Sequence, residues 1–237
     1  MSDPNPAPDD ALPPPIPAAT VVLVRDREGG LETLMLRRNA AVTFGGMWVF
    51  PGGRVEAVDG AGETGARRAA IREAEEEAGL VVEGDLLVPF AHWTPPAVAP
   101  KRYTTWFFLA PAPAGIVSID GGEIHDHVWV TPSGALDRHA AGEIELAPPT
   151  WVTLHWLTEV ADVAAAMQRA RAGTVEYYST RIRRGGEGEI VAVWHGDAAY
   201  DGEDLTVNGG RHRLAMVEGG WRYERVSSAP PADNPTG

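Results

Sequence analysis

Three features of the sequence predict an α+β fold with a mixed β-sheet. Apolar, β-branched runs of strand length recur along the chain, the first at residues 18–25 (AATVVLVR). Helical patterns lie between them at residues 66–78, 132–139 and 149–172. Strands and helices do not alternate regularly, so helices on the faces of a mixed sheet are expected. At 237 residues the chain can bury a hydrophobic core without staples.

Taken in order, residues 1–17 are rich in Pro, Asp and Ala and bury too little to offset their ordering entropy. A flexible tail is expected there, and again over residues 229–237. Residues 18–25 read as a buried strand. Turn residues at 26–30 join it to a second strand at 31–37 (LETLMLR), which makes a hairpin. Trp48, Val49 and Phe50 form a short extended piece, stopped by Pro51-Gly52-Gly53. Residues 59–65 read as loop, and the helix at 66–78 ends where Gly79 takes the C′ position. Strands are expected at 86–92, 104–110 and 127–130, with helices at 132–139 and, as one long element, 149–172. A closing set of strands is expected at 190–193, 211–217 and 221–225. This divides the chain into a main domain, 18–164, and a C-terminal β-rich extension, 165–228, packed on it. The extension's strands have four open roles: extending the sheet, covering its edge, building a homodimer interface, or closing over a substrate.

Composition narrows the function. The chain has no cysteine, which excludes disulfides, Cys-ligated zinc, iron–sulfur clusters and thiol chemistry. Asp and Glu outnumber Lys and Arg by 33 to 20, a net charge of −13, which argues against broad nucleic-acid binding. A small anionic substrate stays compatible, because metal ions invert the local charge. No apolar run is long enough to span a bilayer, so no membrane partner is expected. The opening MSDPNPAPDDALPPP has neither a basic nor an apolar leader segment, and a cytoplasmic protein is expected.

The chemistry is concentrated at Arg72-Glu73-Ala74-Glu75-Glu76-Glu77-Ala78-Gly79-Leu80. On a helix, Glu73, Glu76 and Glu77 share a face, while Ala70, Ala74 and Ala78 form a small-residue stripe suited to packing on a sheet. Four glutamates within five residues repel one another, and Arg72 is the nearby cation. Carboxylate oxygens are the preferred ligands of Mg²⁺ and Mn²⁺, and such an ion would relieve the repulsion. Taken alone, the run reads more simply as a solvated acidic face. The flanks reverse that preference.

The segment resembles the signature of the Nudix hydrolases, G-x5-E-x7-R-E-U-x-E-E-x-G-U, with U apolar. Gly53, Arg72, Glu73, Ala74, Glu76, Glu77, Gly79 and Leu80 fit it. The first acidic position departs from it. Counting forward from Gly53 reaches Asp59; counting back from Arg72 reaches Thr64, next to Glu63. Asp59 and Glu63 both remain candidates to orient Arg72. The resemblance implies an α/β/α sandwich that hydrolyses a diphosphate linking a nucleoside to another moiety, with Mg²⁺ or Mn²⁺. It implies Glu73, Glu76 and Glu77 as metal ligands, the Gly53 carbonyl as a further one, and Arg72 as the group that holds the acidic face. Glu73, Glu76 and a carboxylate on a later loop are candidates for the general base. Glu123 is the loop candidate, and an exposed turn glutamate is an equal reading of it.

Other stretches resemble the branch of coenzyme A and acyl-CoA diphosphatases and their bacterial relatives. They are Arg37-Arg38, the run from Phe44 to Glu56 (FGGMWVFPGGRVE), His92-Trp93-Thr94-Pro95, residues 101–108 (KRYTTWFF), and Leu146-Ala-Pro-Pro-Thr150. The implied partner is a small nucleotide conjugate, coenzyme A first. ADP-ribose, dinucleotides and nucleoside triphosphates are alternatives, as is a ligand sensor without turnover. Arg102, Arg37 and Arg54 are the candidate substrate-binding cations, since guanidinium suits bidentate phosphate recognition. Arg37 and Arg38 point to opposite sides of a strand, so at most one faces the site. His92-Trp93 offers a stacking surface, though Trp93 reads better as core, as do Trp106, Phe107 and Phe108. His125 and His127 have strand spacing for a metal but lack a third ligand, and read as surface.

Overall fold

The computed structural model describes residues 14–39, 45–99, 101–119 and 121–227. Phe44, Asp120 and the tail at 229–237 lie outside these residues. So does most of the expected N-terminal tail, but residues 16 and 17 are already in a strand.

β1 (Ile16–Arg27) and β2 (Gly30–Arg38) form the expected hairpin. Gly30 closes it at φ 111°, a region side chains disfavour. Val21, Val22, Leu23 and Val24 are wholly buried, which marks β1 as a central strand covered on both faces. The sheet has eight strands. Its main path runs β3 (Trp48–Val49), β2, β1, β6 (Tyr103–Pro111), β5 (Val88–Thr94), β8 (Glu176–Ser179). β4 (Gly52–Arg54) pairs with β1, and β7 (Ile124–Val130) with β2. β1–β6 and β5–β8 are parallel and the other pairs antiparallel, so the sheet is mixed as expected.

Helices cover both faces. On one lies α1 (Gly62–Ala78). Its alanines 66, 69, 70, 74 and 78 are wholly buried against Ala19, Val21, Leu23, Leu34 and Leu36. These small side chains let the helix backbone approach the sheet closely. α1 begins four residues before the expected start, which shortens the loop in front of it. On the other face lie α2 (Pro132–Ala140), α3 (Pro148–Thr158) and α4 (Val163–Ala172). The single long helix expected at 149–172 is in fact α3 and α4. Asp162 caps α4 by accepting from the Ala165 N–H at 2.7 Å, and Asp26 accepts from the Val163 N–H at 3.0 Å.

Beyond α4 the chain adds β8 to the main sheet. It then folds β9 (Arg181–Arg184), β10 (Ile190–Val193), β11 (Arg211–Met216) and β12 (Arg222–Val226) into a second, antiparallel sheet. Ala192, Trp194 and Leu214 of this region join the core beneath α3 and α4. β8 and β9 were not among the expected strands. Among the described residues, no helix is long and apolar enough to cross a membrane.

Candidate functional site

The site is built where β4 meets α1. Ala19 pairs with Gly53 and Thr20 with Gly52, which brings β4 against the central strand. A Cβ on Gly52 would run into the Ala19 carbonyl, and one on Gly53 into the Glu73 carboxylate. Gly52 therefore requires glycine, because it meets backbone, while at Gly53 a side chain would displace the Glu73 carboxylate. The Gly52 N–H donates to Glu77 Oε2 at 2.9 Å, tying strand to helix. At the helix end Gly79 adopts the left-handed conformation, φ 67°, and its N–H donates to the Glu75 carbonyl at 2.9 Å. The Leu80 N–H reaches back to the Ala74 carbonyl at 3.2 Å, completing the stop predicted for that glycine.

Arg72 gathers the acids. It donates to Asp59 through Nε (3.3 Å) and Nη2 (2.9 Å), to Glu73 Oε1 at 2.8 Å, to Glu76 Oε2 at 3.0 Å and to the Arg54 carbonyl at 2.9 Å. Asp59 is buried and also accepts from the Glu56 N–H at 2.8 Å. Glu63 instead pairs with Arg67 at 2.9 Å along the helix. Of the two acids left open by the sequence, Asp59 is the one that holds Arg72. Twelve residues separate it from Arg72 where the signature has seven, and the turn over residues 56–60 folds it onto the guanidinium.

The hydrogen bonds from Arg72 keep the Asp59 carboxyl below its ordinary pKa, and Asp59 in turn raises that of Arg72. Glu73 shifts the other way. Its burial raises its pKa despite the hydrogen bond from Arg72. Glu77 is 4% exposed, while the Glu76 side chain is 59% exposed.

A second cation stands beside Glu77. Arg38 Nη1 lies 3.9 Å from Glu77 Oε1, and Arg38 also pairs with Glu123. Leu34 and Leu36 point at α1, the pairing of β2 with β7 shifts register between Arg37 and Arg38, and the contact with Glu77 places Arg38 on the α1 side. Arg37 is exposed, and it is Arg38 that reaches Glu77 and Glu123. Arg54 contributes its carbonyl to Arg72, while its guanidinium donates to the Tyr103 hydroxyl at 3.2 Å. Arg102 precedes β6, and its carbonyl accepts the Ile16 N–H at 2.7 Å. His125 is exposed on β7. The contacts of Arg38 with Glu77 and of Tyr103 with Arg54 were not anticipated from the sequence, since they join residues far apart in the chain.

Asp59, Glu73, Glu76, Glu77 and Glu123 thus surround two cations, Arg72 and Arg38. Among the described residues, no three His, Cys, Asp or Glu side chains already converge as ligands of one ion. The donor set still suits a hard divalent cation. It consists of carboxylate oxygens on successive positions of one helix face, beside a glycine whose missing Cβ leaves room for Glu73. A cation here would also favour the charged form of Glu73 that burial disfavours.

The other aromatic candidates divide between the faces. Trp93 is 4% exposed, stacked on Tyr178 with ring centroids 3.8 Å apart, and belongs to the core, as do Phe107 and Phe108. His92 and Trp106 are half-buried neighbours on the α1 face, centroids 4.7 Å apart.

Comparison with known proteins gives a consistent result. The family model described as NUDIX domain matches residues 14–166. The nudix hydrolase 7 sequence of Caenorhabditis elegans is 26% identical over 170 residues, 55% of this chain; the match spans 57% of that relative's length. Among solved structures, a NUDIX hydrolase from Alicyclobacillus acidocaldarius superposes with a TM-score of 0.61 at 22% identity. It covers 70% of this chain and 99% of the other, a likeness of fold.

Proposed function

Because this chain belongs to the Nudix family, we propose that it hydrolyses the diphosphate linkage of a nucleoside diphosphate conjugate with the help of a divalent metal ion. Coenzyme A or an acyl-CoA is the substrate we put first. The observation that carries the reading is the surplus of carboxylates on the α1 face beside Gly53, held in register by Arg72. The substrate choice rests on the sequence stretches around the box that resemble the coenzyme A branch.

In this reading Glu73, Glu77 and Glu76, with the Gly53 carbonyl, hold Mg²⁺ or Mn²⁺. When bound, the ion neutralises diphosphate oxygens and makes water a better nucleophile. Hydrolysis breaks one P–O bond of the bridge and forms one P–O bond to the water oxygen, and the water gives up a proton. Glu123, anchored by Arg38 beside Glu77, is the proposed acceptor of that proton. Arg72 is a positioning residue, since its five donated hydrogen bonds fix the acidic face and the β4–α1 loop. Arg102 and Arg54 are proposed to meet the substrate's other anionic groups.

The test is a mass-resolved hydrolysis panel of coenzyme A, acetyl-CoA, ADP-ribose, NADH, diadenosine polyphosphates and nucleoside triphosphates. Each is run with Mg²⁺, with Mn²⁺ and with chelator. Metal-dependent cleavage of coenzyme A or its thioester is expected. Cleavage of another conjugate alone would keep the reaction and replace the substrate. Tight binding with no cleavage of any compound would replace the enzyme by a sensor.

A further inference from the structure

The face of the sheet opposite α1 holds a cavity of about 140 Å³. Sheet and helices share its walls. β5 supplies Phe90 and Trp93, β8 supplies Tyr178, α3 supplies Val152 and Trp156, and α4 supplies Ala170. Trp93 pairs with Tyr178 across β5 and β8, and the two rings stack with centroids 3.8 Å apart and planes inclined by 4°. Phe90 stacks on Trp156, centroids 5.4 Å apart, which joins the sheet to α3. Trp93, Tyr178, Val152 and Ala170 are all buried, so the cavity reaches into the core.

The charged groups around it are matched. Arg225 pairs with Glu176 at 2.8 Å, and Arg169 with Glu159 at 2.6 Å. The Tyr178 hydroxyl is hydrogen-bonded to Tyr223. Trp93 is different. Its Nε1 is buried and has no hydrogen-bond partner among the described residues. An indole N–H donates and cannot accept, so only an acceptor satisfies it. A buried donor without one is costly, and such groups are rare in folded proteins. The volume adds a size. An apolar cavity of about 150 Å³ accommodates benzene, so this one suits a single six-membered ring.

We propose that this cavity is a separate ligand site, for a neutral molecule of about one six-membered ring that carries a carbonyl-type acceptor for the Trp93 N–H. The aromatic and aliphatic walls bury the ring. The ion pairs at its edge are balanced, so a charged ligand would lose its hydration without gaining a counter-charge. The site lies across the sheet from Glu73 and shares no residue with the acidic face, so it stands or falls independently of the diphosphatase reading.

Cyclohexanone is the probe, and cyclohexane, the same ring without an acceptor, is the control. Each is titrated into the isotope-labelled full chain, and nuclear magnetic resonance follows the indole N–H signals of its eight tryptophans. Trp93→Phe identifies the Trp93 signal. Nuclear Overhauser contacts to the Val152 methyl groups and the Trp156 ring locate the probe in the wild type, whether or not a variant folds. Cyclohexanone should move the Trp93 N–H downfield and saturably, with those contacts present, and cyclohexane should not move it downfield. Ala170→Leu, which fills the cavity, should weaken cyclohexanone binding at least about tenfold, because the ring then has no apolar surface to bury against. The site is overturned by the absence of a saturable Trp93 shift, by a shift without contacts to Val152, or by an equal downfield shift with cyclohexane. Undiminished binding in a folded Ala170→Leu, or an internal water on the indole that cyclohexanone fails to displace, also overturns it.

Discussion

Two arginine–aspartate pairs of the same bidentate form occupy opposite ends of this chain and differ in what surrounds them. Arg213 donates to Asp197 at 2.6 and 2.7 Å, with side chains 9% and 0% exposed. Asp197 also accepts from the Ala199 and His212 N–H groups, both at 2.9 Å, and Arg213 donates to the Leu205 carbonyl at 3.0 Å. That pair is balanced in charge and braces the second sheet. Arg72 binds Asp59 in the same way but is shared with Glu73 and Glu76, and Glu77 stands one turn on from Glu73. The difference teaches that the pair itself says little about function. The surplus of negative charge around it does, because surplus carboxylates in a partly buried place invite a cation.

The largest effect should come from breaking the balanced pair. Asp197→Ala leaves Arg213 charged and buried without its carboxylate, and should lower unfolding free energy by ~3–5 kcal/mol in urea titration. Turnover per folded molecule should stay at the wild-type level. At the unbalanced pair the order inverts. Glu77→Gln should keep the melting temperature within a few degrees while turnover falls at least ~100-fold, since a lost metal ligand removes transition-state charge stabilisation. Asp59→Asn should cost about tenfold in turnover, a loss of ~1.4 kcal/mol in positioning Arg72. Glu63→Gln removes an exposed helix pair and should change stability by no more than ~0.5 kcal/mol and turnover not at all. Equal effects of the Asp59 and Glu63 substitutions on turnover would contradict the assignment of Asp59.

The balanced pair also has a pH signature. Burial alone would raise the Asp197 pKa, but the hydrogen bonds from Arg213 and two backbone N–H groups outweigh it and hold it below 3.8. A depressed folded pKa stabilises above the unfolded value and is lost as pH falls through the folded one. Thermal stability of the wild type should therefore drop on acidification below pH 3.8, with a shallower drop in Asp197→Asn. Parallel curves would remove the pair from the acid response.

What the sequence revealed follows the range of the interactions. The turn of α1 carrying Glu73, Glu76 and Glu77, its stop at Gly79 and its alanine stripe are local, and all were legible. Asp59 was not separable from Glu63, because the choice depends on how a loop folds back onto Arg72. The break between α3 and α4 was present locally in Asp162, an N-cap residue, but the second cap, Asp26, comes from the far end of β1. β8 and β9 escaped detection because Glu176-Tyr-Tyr-Ser and Arg181-Ile-Arg-Arg lack the apolar run that marks a buried strand. The neighbourhood of His92, Trp106 and Tyr177 was the least legible, since the three come from three strands and only pairing registers align them.

The central claim is that the carboxylate surplus at Arg72 binds a divalent cation and the balanced pair at Arg213 does not. Mn²⁺ titration followed by electron paramagnetic resonance tests it without any substrate, on the wild type, Glu77→Gln and Asp197→Asn. A saturable Mn²⁺ site is expected in the wild type, weakened at least about tenfold by Glu77→Gln and unchanged by Asp197→Asn. Equal Mn²⁺ binding in wild type and Glu77→Gln would contradict it.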